Sequence, residues 1–178
     1  ALDAEASDVR HRLLNRLLAR NHQSRDAFRV ANCLSCRPPN NWLEGAPWQH
    51  GALQHCRVHR EPVLAEGHPV VMALGTTALK TLLGCTEKGI RMEDFHGTVS
   101  RDPSDRFWVI PTFHPSFLQR GAMNLFGVCS FDLQQALRVA QEGYQQDPVS
   151  VVVDPSVAWF TQWVEQVEAA VAQDPLSV

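Results

Sequence analysis

At 178 residues, 44% apolar and 20% charged, the chain matches one globular domain with a short appendage, which excludes a disordered or fibrous protein. No run approaches the roughly 18 apolar residues that would span a bilayer, and no signal-peptide core opens the chain, so a cytoplasmic protein (of the host cytoplasm if viral) without a membrane partner is expected. The net charge of −3 is unevenly spread, because residues 1–140 hold all 16 cations, 14 of them Arg, against 13 acids, while six acids and no Lys or Arg follow Arg138. The main body is therefore mildly basic, with the side chain suited to bidentate phosphate contacts, although Arg on solvated helix faces would give the same count.

Between Val9 and Arg20, apolar Val9, Leu13, Leu14, Leu17 and Leu18 recur at helical spacing, with Arg10, Arg12, Arg16 and Arg20 mostly opposite, which predicts an amphipathic helix. Phe28 to Leu34 is short and apolar and is stopped by Pro38-Pro39-Asn40-Asn41, predicting a strand that runs into a loop with Asn32 near its end. Trp48 to Glu66 is periodic through Leu53, Cys56, Val63 and Leu64, a helix that Pro62 must kink or divide. Pro69 to Gly75 is a continuous apolar run of strand length, the kind buried on both faces of a parallel sheet. Thr76 or Thr77 then caps a helix through Leu83, which Gly84 closes. Phe107 to Phe113 is the third strand, delivering His114-Pro115-Ser116 to its C-terminal end, and Phe131 to Ala140 is the closing helix.

This α-β-α-β-α-β-α order predicts an α/β fold, a three-layer α/β/α arrangement with a mostly parallel central sheet. Its ligand site would lie beyond the strand C-termini, where Asn32 and His114 both fall. After Gly143 the character changes. Val149 to Val153 is β-rich, Asp154-Pro155 forms an N-cap and N1 pair, and a helix runs to about Gln173 with Val157, Phe160, Trp163, Val164, Val167 and Val171 as its apolar stripe. Residues 1–143 are expected to form the main domain, and 144–178 an acidic linker or accessory strand–helix segment that packs on the body or leads into another domain.

The motif-bearing residues are Asn32-Cys-Leu-Ser-Cys36-Arg37-Pro38-Pro39-Asn40-Asn41, Cys56 within a helix, Leu74-Gly75-Thr-Thr-Ala78 at a strand–helix turn, and Thr112-Phe113-His114-Pro115-Ser116-Phe117-Leu118-Gln119-Arg120. In this order, from about Leu13 to Leu137, they resemble the family 4, iron–sulfur type, uracil-DNA glycosylases. That family carries an Asn shortly before Cys-Arg-Pro-Pro-x-Asn, a helical Cys, a Leu-Gly-x-x-Ala turn and Thr-Tyr/Phe-His-Pro-Ala/Ser. The resemblance implies an enzyme of base excision that takes DNA containing uracil, single- or double-stranded, flips out the deoxyuridine and hydrolyses its N-glycosidic bond. It implies that His114 donates a hydrogen bond to uracil O2 as negative charge develops on the departing base. It also implies that Asn32 reads the N3–H and O4 edge, a donor–acceptor order that cytosine does not match. Ser116 and the segment Phe117-Leu118-Gln119-Arg120 would meet the DNA, with Leu118 filling the gap left by the flipped base and Arg120, like Arg37, meeting phosphate. Without the motif, His114 reads as a strand-end His satisfying backbone groups, Asn32 as a turn residue, and 117–120 as an apolar cap over the core.

Five cysteines, an odd number, fit a reducing compartment and metal binding better than a disulfide framework. By the resemblance, Cys36 and Cys56 match two of the four thiolate ligands of a structural 4Fe–4S cluster, with the other two outside this sequence. A zinc site is the alternative, since Cys33-x-x-Cys36 and Cys56-x-x-His59 form a Cys₃His set with suitable spacing. Cys85 and Cys129 read as buried apolar residues.

Two departures bear on activity. The family's upstream Gly-Glu-x-Pro-Gly loop, which holds the water, and its uracil-stacking aromatic are not found, and Trp42 stands where the family commonly has Arg. The chain thus reads as the larger, C-terminal part of a glycosylase. The alternative is a catalytically inactive, glycosylase-like DNA-binding or scaffolding module of a larger replication protein, a DNA polymerase of the phage kind.

Overall fold

Leu13, Leu17 and Leu18 are buried along helix α1 (residues 12–20) in the computed structural model, which describes residues 12–43, 45–85, 90–145 and 156–173. The predicted helix start, from Val9, lies outside the described residues. Arg12, Arg16 and Arg20 are exposed, the last two over the Phe126 ring at 5.5 and 6.0 Å. Asn21 fastens the end of α1, because its amide donates to Leu17 O (2.8 Å) and Ser130 Oγ (3.0 Å) and its carbonyl accepts from Gln134 (3.0 Å).

The expected strand from Phe28 to Leu34 does not form. The segment is irregular, with Phe28, Cys33 and Leu34 half-buried and Val30 exposed, and it joins no sheet among the described residues. A strand needs a hydrogen-bonding edge beside it, which an apolar run does not encode. The next helical stretch divides, as α2 (Gln49–His55) and α3 (Arg57–Leu64). The break is at Cys56, not at Pro62, which α3 accommodates. Cys56 Sγ there accepts the Ser35 N–H at 3.3 Å, so a tertiary contact marks the division.

Strand β1 (Val70–Leu74) leads to helix α4 (Thr76–Leu83), whose N-cap is Gly75, with Thr76 and Thr77 already helical. Gly84 closes α4 in the left-handed conformation that the spacing predicted. A short helix α5 (Met92–Phe95) precedes β2 (Ser100–Arg101) and β3 (Trp108–Thr112). Helix α6 (Pro115–Gln119) follows at once, and α7 (Phe126–Glu142) begins earlier than expected.

Among the described residues the sheet has three strands, in the order β1-β3-β2. β1 and β3 are parallel, from Val70 opposite Trp108 to Leu74 opposite Thr112, and β2 is antiparallel to β3. The mostly parallel sheet is thus reduced to one parallel pair with an antiparallel edge. The reason is a turn chemistry that the apolar pattern did not register. Asp102 accepts from the N–H groups of Ser104, Arg106 and Phe107 and from Arg106 Nε, which folds β2 back on β3. Alternate residues along β3 and its flanks enter different core clusters. Phe107, Val109 and Phe113 pack with Leu13, Leu17 and Leu79, whereas Ile110 packs with Ala136 and Val139. Both faces of the strand are therefore covered, as the period of two requires, and each fully buried Val or Ile stabilises the fold by about 1.5–3 kcal/mol.

Burial opposes ionisation of Asp102, but the four hydrogen bonds its carboxylate accepts outweigh that and hold the carboxyl below its usual range. Asp102→Asn is expected to cost about 1–3 kcal/mol at pH 7 by leaving buried donors badly matched. A depressed carboxyl gives stability that is present above its unfolded value of about 3.9 and is lost as pH falls through the lower folded value. The gap between wild type and variant should therefore narrow below about pH 4. Thermal unfolding of both proteins from pH 7 to pH 3 checks this, and equal midpoints at pH 7 would refute it.

The chain divides into two compact units, Ala1–Tyr144 and Gln145–Val178. In the second, α8 (Val157–Gln173) exposes Val157, Trp159, Phe160 and Trp163, and Ser156 Oγ accepts the Trp159 N–H at 3.2 Å. The expected 149–153 strand and the Asp154-Pro155 cap lie outside the described residues. No helix among the described residues is long and apolar enough to cross a membrane.

Candidate active site

The end of β3 sets up the site. Thr112 closes the ladder, Pro115 enters α6 at a position where its missing N–H is harmless, and His114 between them becomes the N-cap. The Ser116 N–H donates to His114 Nδ1 at 3.1 Å, and the Ser116 hydroxyl lies 2.7 Å from the same nitrogen. A backbone N–H cannot accept, so Nδ1 carries the lone pair and the neutral ring holds its proton on Nε2. His114 is exposed. The arrangement points to Nε2 as the N–H donor on a strand end, with Nδ1 engaged by the next turn of chain.

Gly75 lets the neighbouring strand end come this close. Its φ is +89°, its N–H donates to Thr112 O at 2.9 Å, and a Cβ at Gly75 would lie 3.0 Å from His114 Cβ. Any side chain here would press on His114 and strain the turn.

The other predicted site residues divide. Phe117 is 38% exposed and stacks on Phe113 at 5.8 Å. Leu118 is 2% exposed and belongs to the core. Residues 115–119 coil as a helix that turns Leu118, expected to fill the gap left by the flipped base, inward and leaves Phe117 as the exposed apolar side chain. Arg37 and Arg120 are exposed, and so is Asn32, on the irregular segment ahead of Cys33.

Cys36 and Cys56 do come together, with sulfurs 3.7 Å apart. The two thiols respond differently. The N–H groups of Ser35 and Cys36 hold Cys56 below the ordinary thiol range, and the hydrogen bond with Cys56 pushes Cys36 up. Such a pair suits a soft metal as part of a ligand set. Cys33 lies apart from it, its thiol pushed up by burial and placed near Arg60 and Thr81. His59 is exposed. Among the described residues no three His, Cys, Asp or Glu side chains gather to hold a metal ion, so the Cys₃His zinc set is not assembled. Two thiols of this chain thus lie together at the α2–α3 junction, and none of the chemistry below passes through a metal or cluster.

Two residues behind the strand end, His96 and Asp132, were missed from the sequence. Thr112 Oγ1 donates to Asp132 at 2.6 Å, and His96 Nδ1 lies 3.3 Å from the other carboxylate oxygen. Asp132 has no exposed surface, and burial pushes its carboxyl up against the opposing effect of both partners. A signal existed: Asp132 stands on the buried stripe of α7 with Cys129, Leu133, Ala136 and Val139, where a carboxylate is out of place.

The profile of the Uracil DNA glycosylase superfamily matches residues 7–135. The Type-4 uracil-DNA glycosylase of Thermotoga maritima is 32% identical over 117 residues, which cover 63% of this chain and 55% of that protein. The chain thus spans little more than half the length of this curated relative. With the match extending over most of the chain, and with the His-Pro-Ser turn built as described at the end of β3, the protein belongs to the uracil-DNA glycosylase superfamily.

Proposed function

We propose that the protein is a uracil-DNA glycosylase that binds a deoxyuridine extruded from DNA and hydrolyses its N-glycosidic bond, the first step of base excision. The observation that carries this reading is the Ser116 N–H directed at His114 Nδ1, which leaves Nε2 to carry the ring proton. Bond cleavage leaves an oxocarbenium-like sugar and a uracil anion, and what the base requires as it leaves is a donor close to its O2. A neutral imidazole with its proton on Nε2 meets that need without giving up a proton. Asn32 supplies an amide donor for O4 and an acceptor for N3–H, a pair that mismatches cytosine. Arg37 and Arg120 are phosphate contacts, and exposed Phe117 takes the apolar role at the duplex. Cys36 and Cys56 are two ligands of a structural 4Fe–4S cluster that clips the 33–37 segment to the α2–α3 junction, its remaining ligands lying beyond the described residues.

The test incubates the full protein with a single-stranded oligonucleotide that contains one deoxyuridine and follows alkali-labile strand cleavage. Cleavage at deoxyuridine, and none at deoxycytidine or thymidine in the same position, is expected. Tight oligonucleotide binding with no cleavage would reject the glycosylase reading and favour a DNA-binding or scaffolding module of a larger replication protein.

A further inference from the structure

We propose that Asp132 is a positioning residue for His114, acting through Thr112 and His96 to hold the end of β3. This rests on the reading of His114 as the group that meets the base.

Asp132 reaches the strand end by two routes. The first is direct: its carboxylate accepts the Thr112 hydroxyl at 2.6 Å, and Thr112 is two residues from His114. The Thr112 carbonyl in turn accepts the Gly75 N–H, and Gly75 is the residue against which His114 is seated. The second route runs through His96. Its Nδ1 lies 3.3 Å from Asp132, and its ring rests on Phe113 with centroids 5.4 Å apart. Phe113 stacks on Phe117 of α6, the helix that His114 caps. The turn after α5 is also pressed onto the acid, since a Cβ at Gly97 would lie 2.8 Å from Asp132 Oδ1, while the Gly97 N–H donates to Pro111 O at 2.9 Å. One buried carboxylate on α7 thus gathers β3, the α5–β2 turn and, through Thr112, the β1–α4 turn.

A leucine at this position would fill the space without the desolvation cost of a buried carboxylate. It could not accept the Thr112 hydroxyl or orient His96. What the carboxylate supplies that packing does not is direction. Misplacing a reacting group by about 1 Å can cost about 10²-fold in rate, so a small shift at Thr112 would reach the chemistry through His114.

The test compares Thr112→Val, which keeps the shape and removes the hydroxyl, with Thr112→Ser, which keeps the hydroxyl, and adds Asp132→Asn. Uracil-release kinetics and the His114 imidazole signals in long-range ¹H–¹⁵N spectra are read for each. Thr112→Val and Asp132→Asn are expected to lower kcat by about 10-fold or more with KM within about 2-fold, to shift or broaden the His114 signals, and to leave Thr112→Ser close to wild type. A fall in melting temperature with kcat and the His114 signals unchanged would make the role purely structural and overturn the proposal. Should Asp132→Asn not fold, the threonine pair decides. If the wild-type protein releases no uracil, the glycosylase reading fails on its own, and the His114 signals still decide the positioning role: movement in Thr112→Val but not in Thr112→Ser supports it, and no movement overturns it.

Discussion

His114→Ala is expected to lower kcat for uracil release by about 10²–10³-fold while KM stays nearly constant. The reason is where the charge appears. In the ground state uracil O2 is a neutral carbonyl that water serves almost as well, so loss of the imidazole barely weakens binding. As the glycosidic bond stretches, charge flows onto the base and a fixed N–H donor becomes worth several times more. Ser116 is the second half of this design. With its N–H on Nδ1, Ser116 leaves Nε2 as the ring nitrogen that presents a hydrogen to the base. Single-turnover release, which separates the chemical step from binding, is the decisive measurement. A kcat within about 2-fold of wild type would remove His114 from the reaction.

Asn32→Ala should cost about 10²-fold or more in kcat/KM for uracil, and Asn32→Asp should be still worse for uracil while admitting some cytosine. An amide offers one donor and one acceptor, whereas a carboxylate offers only acceptors, so aspartate sets an oxygen against uracil O4 but accepts from the cytosine N4 amino group. A site whose polar groups go unpaired rejects its ligand strongly, because the desolvation cost is no longer offset. Competition between deoxyuridine and deoxycytidine oligonucleotides measures the ratio directly. An unchanged ratio in both variants would show that Asn32 does not read the base edge. Together the two substitutions test whether an amide on the 28–34 segment and an imidazole on the β3 end serve one base.

The parts legible in the sequence were those where a local rule is sufficient. The apolar runs 69–75 and 107–113 became β1 and β3, paired in parallel, because a run of that length has few other ways to bury itself. The Gly84 C-cap and the Pro115 helix start were readable for the same reason, since each depends on one residue's own backbone. The segment 28–34 carried the same apolar signal as the true strands and formed no ladder, because a ladder requires a partner that lies elsewhere in the chain. Leu118 looked like the residue meeting DNA by its place in the motif. The helical turn at 115–119 rotated it into the core and left Phe117 outside.

The cysteines show the same boundary. Spacing alone allowed both a Cys₃His set and a Cys36–Cys56 pair, and only the packing of the 33–36 segment against the α2–α3 junction brought two sulfurs to 3.7 Å while leaving Cys33 beside Arg60 and Thr81. Asp132 was visible in the sequence only as an acid on an apolar stripe. Its partners, Thr112 and His96, come from separate elements 20 and 36 residues away.

The amino-acid sequence by itself determined the family, the two strands that pair in parallel and the chemical kinds of group at the candidate site, since these follow from residue identity and short spacing. The tertiary structure decided which face each group presents, which thiols meet, and which buried acid stands behind the imidazole. Those outcomes depend on contacts between segments far apart in the chain, where burial and hydrogen-bond satisfaction across the whole core override local preference.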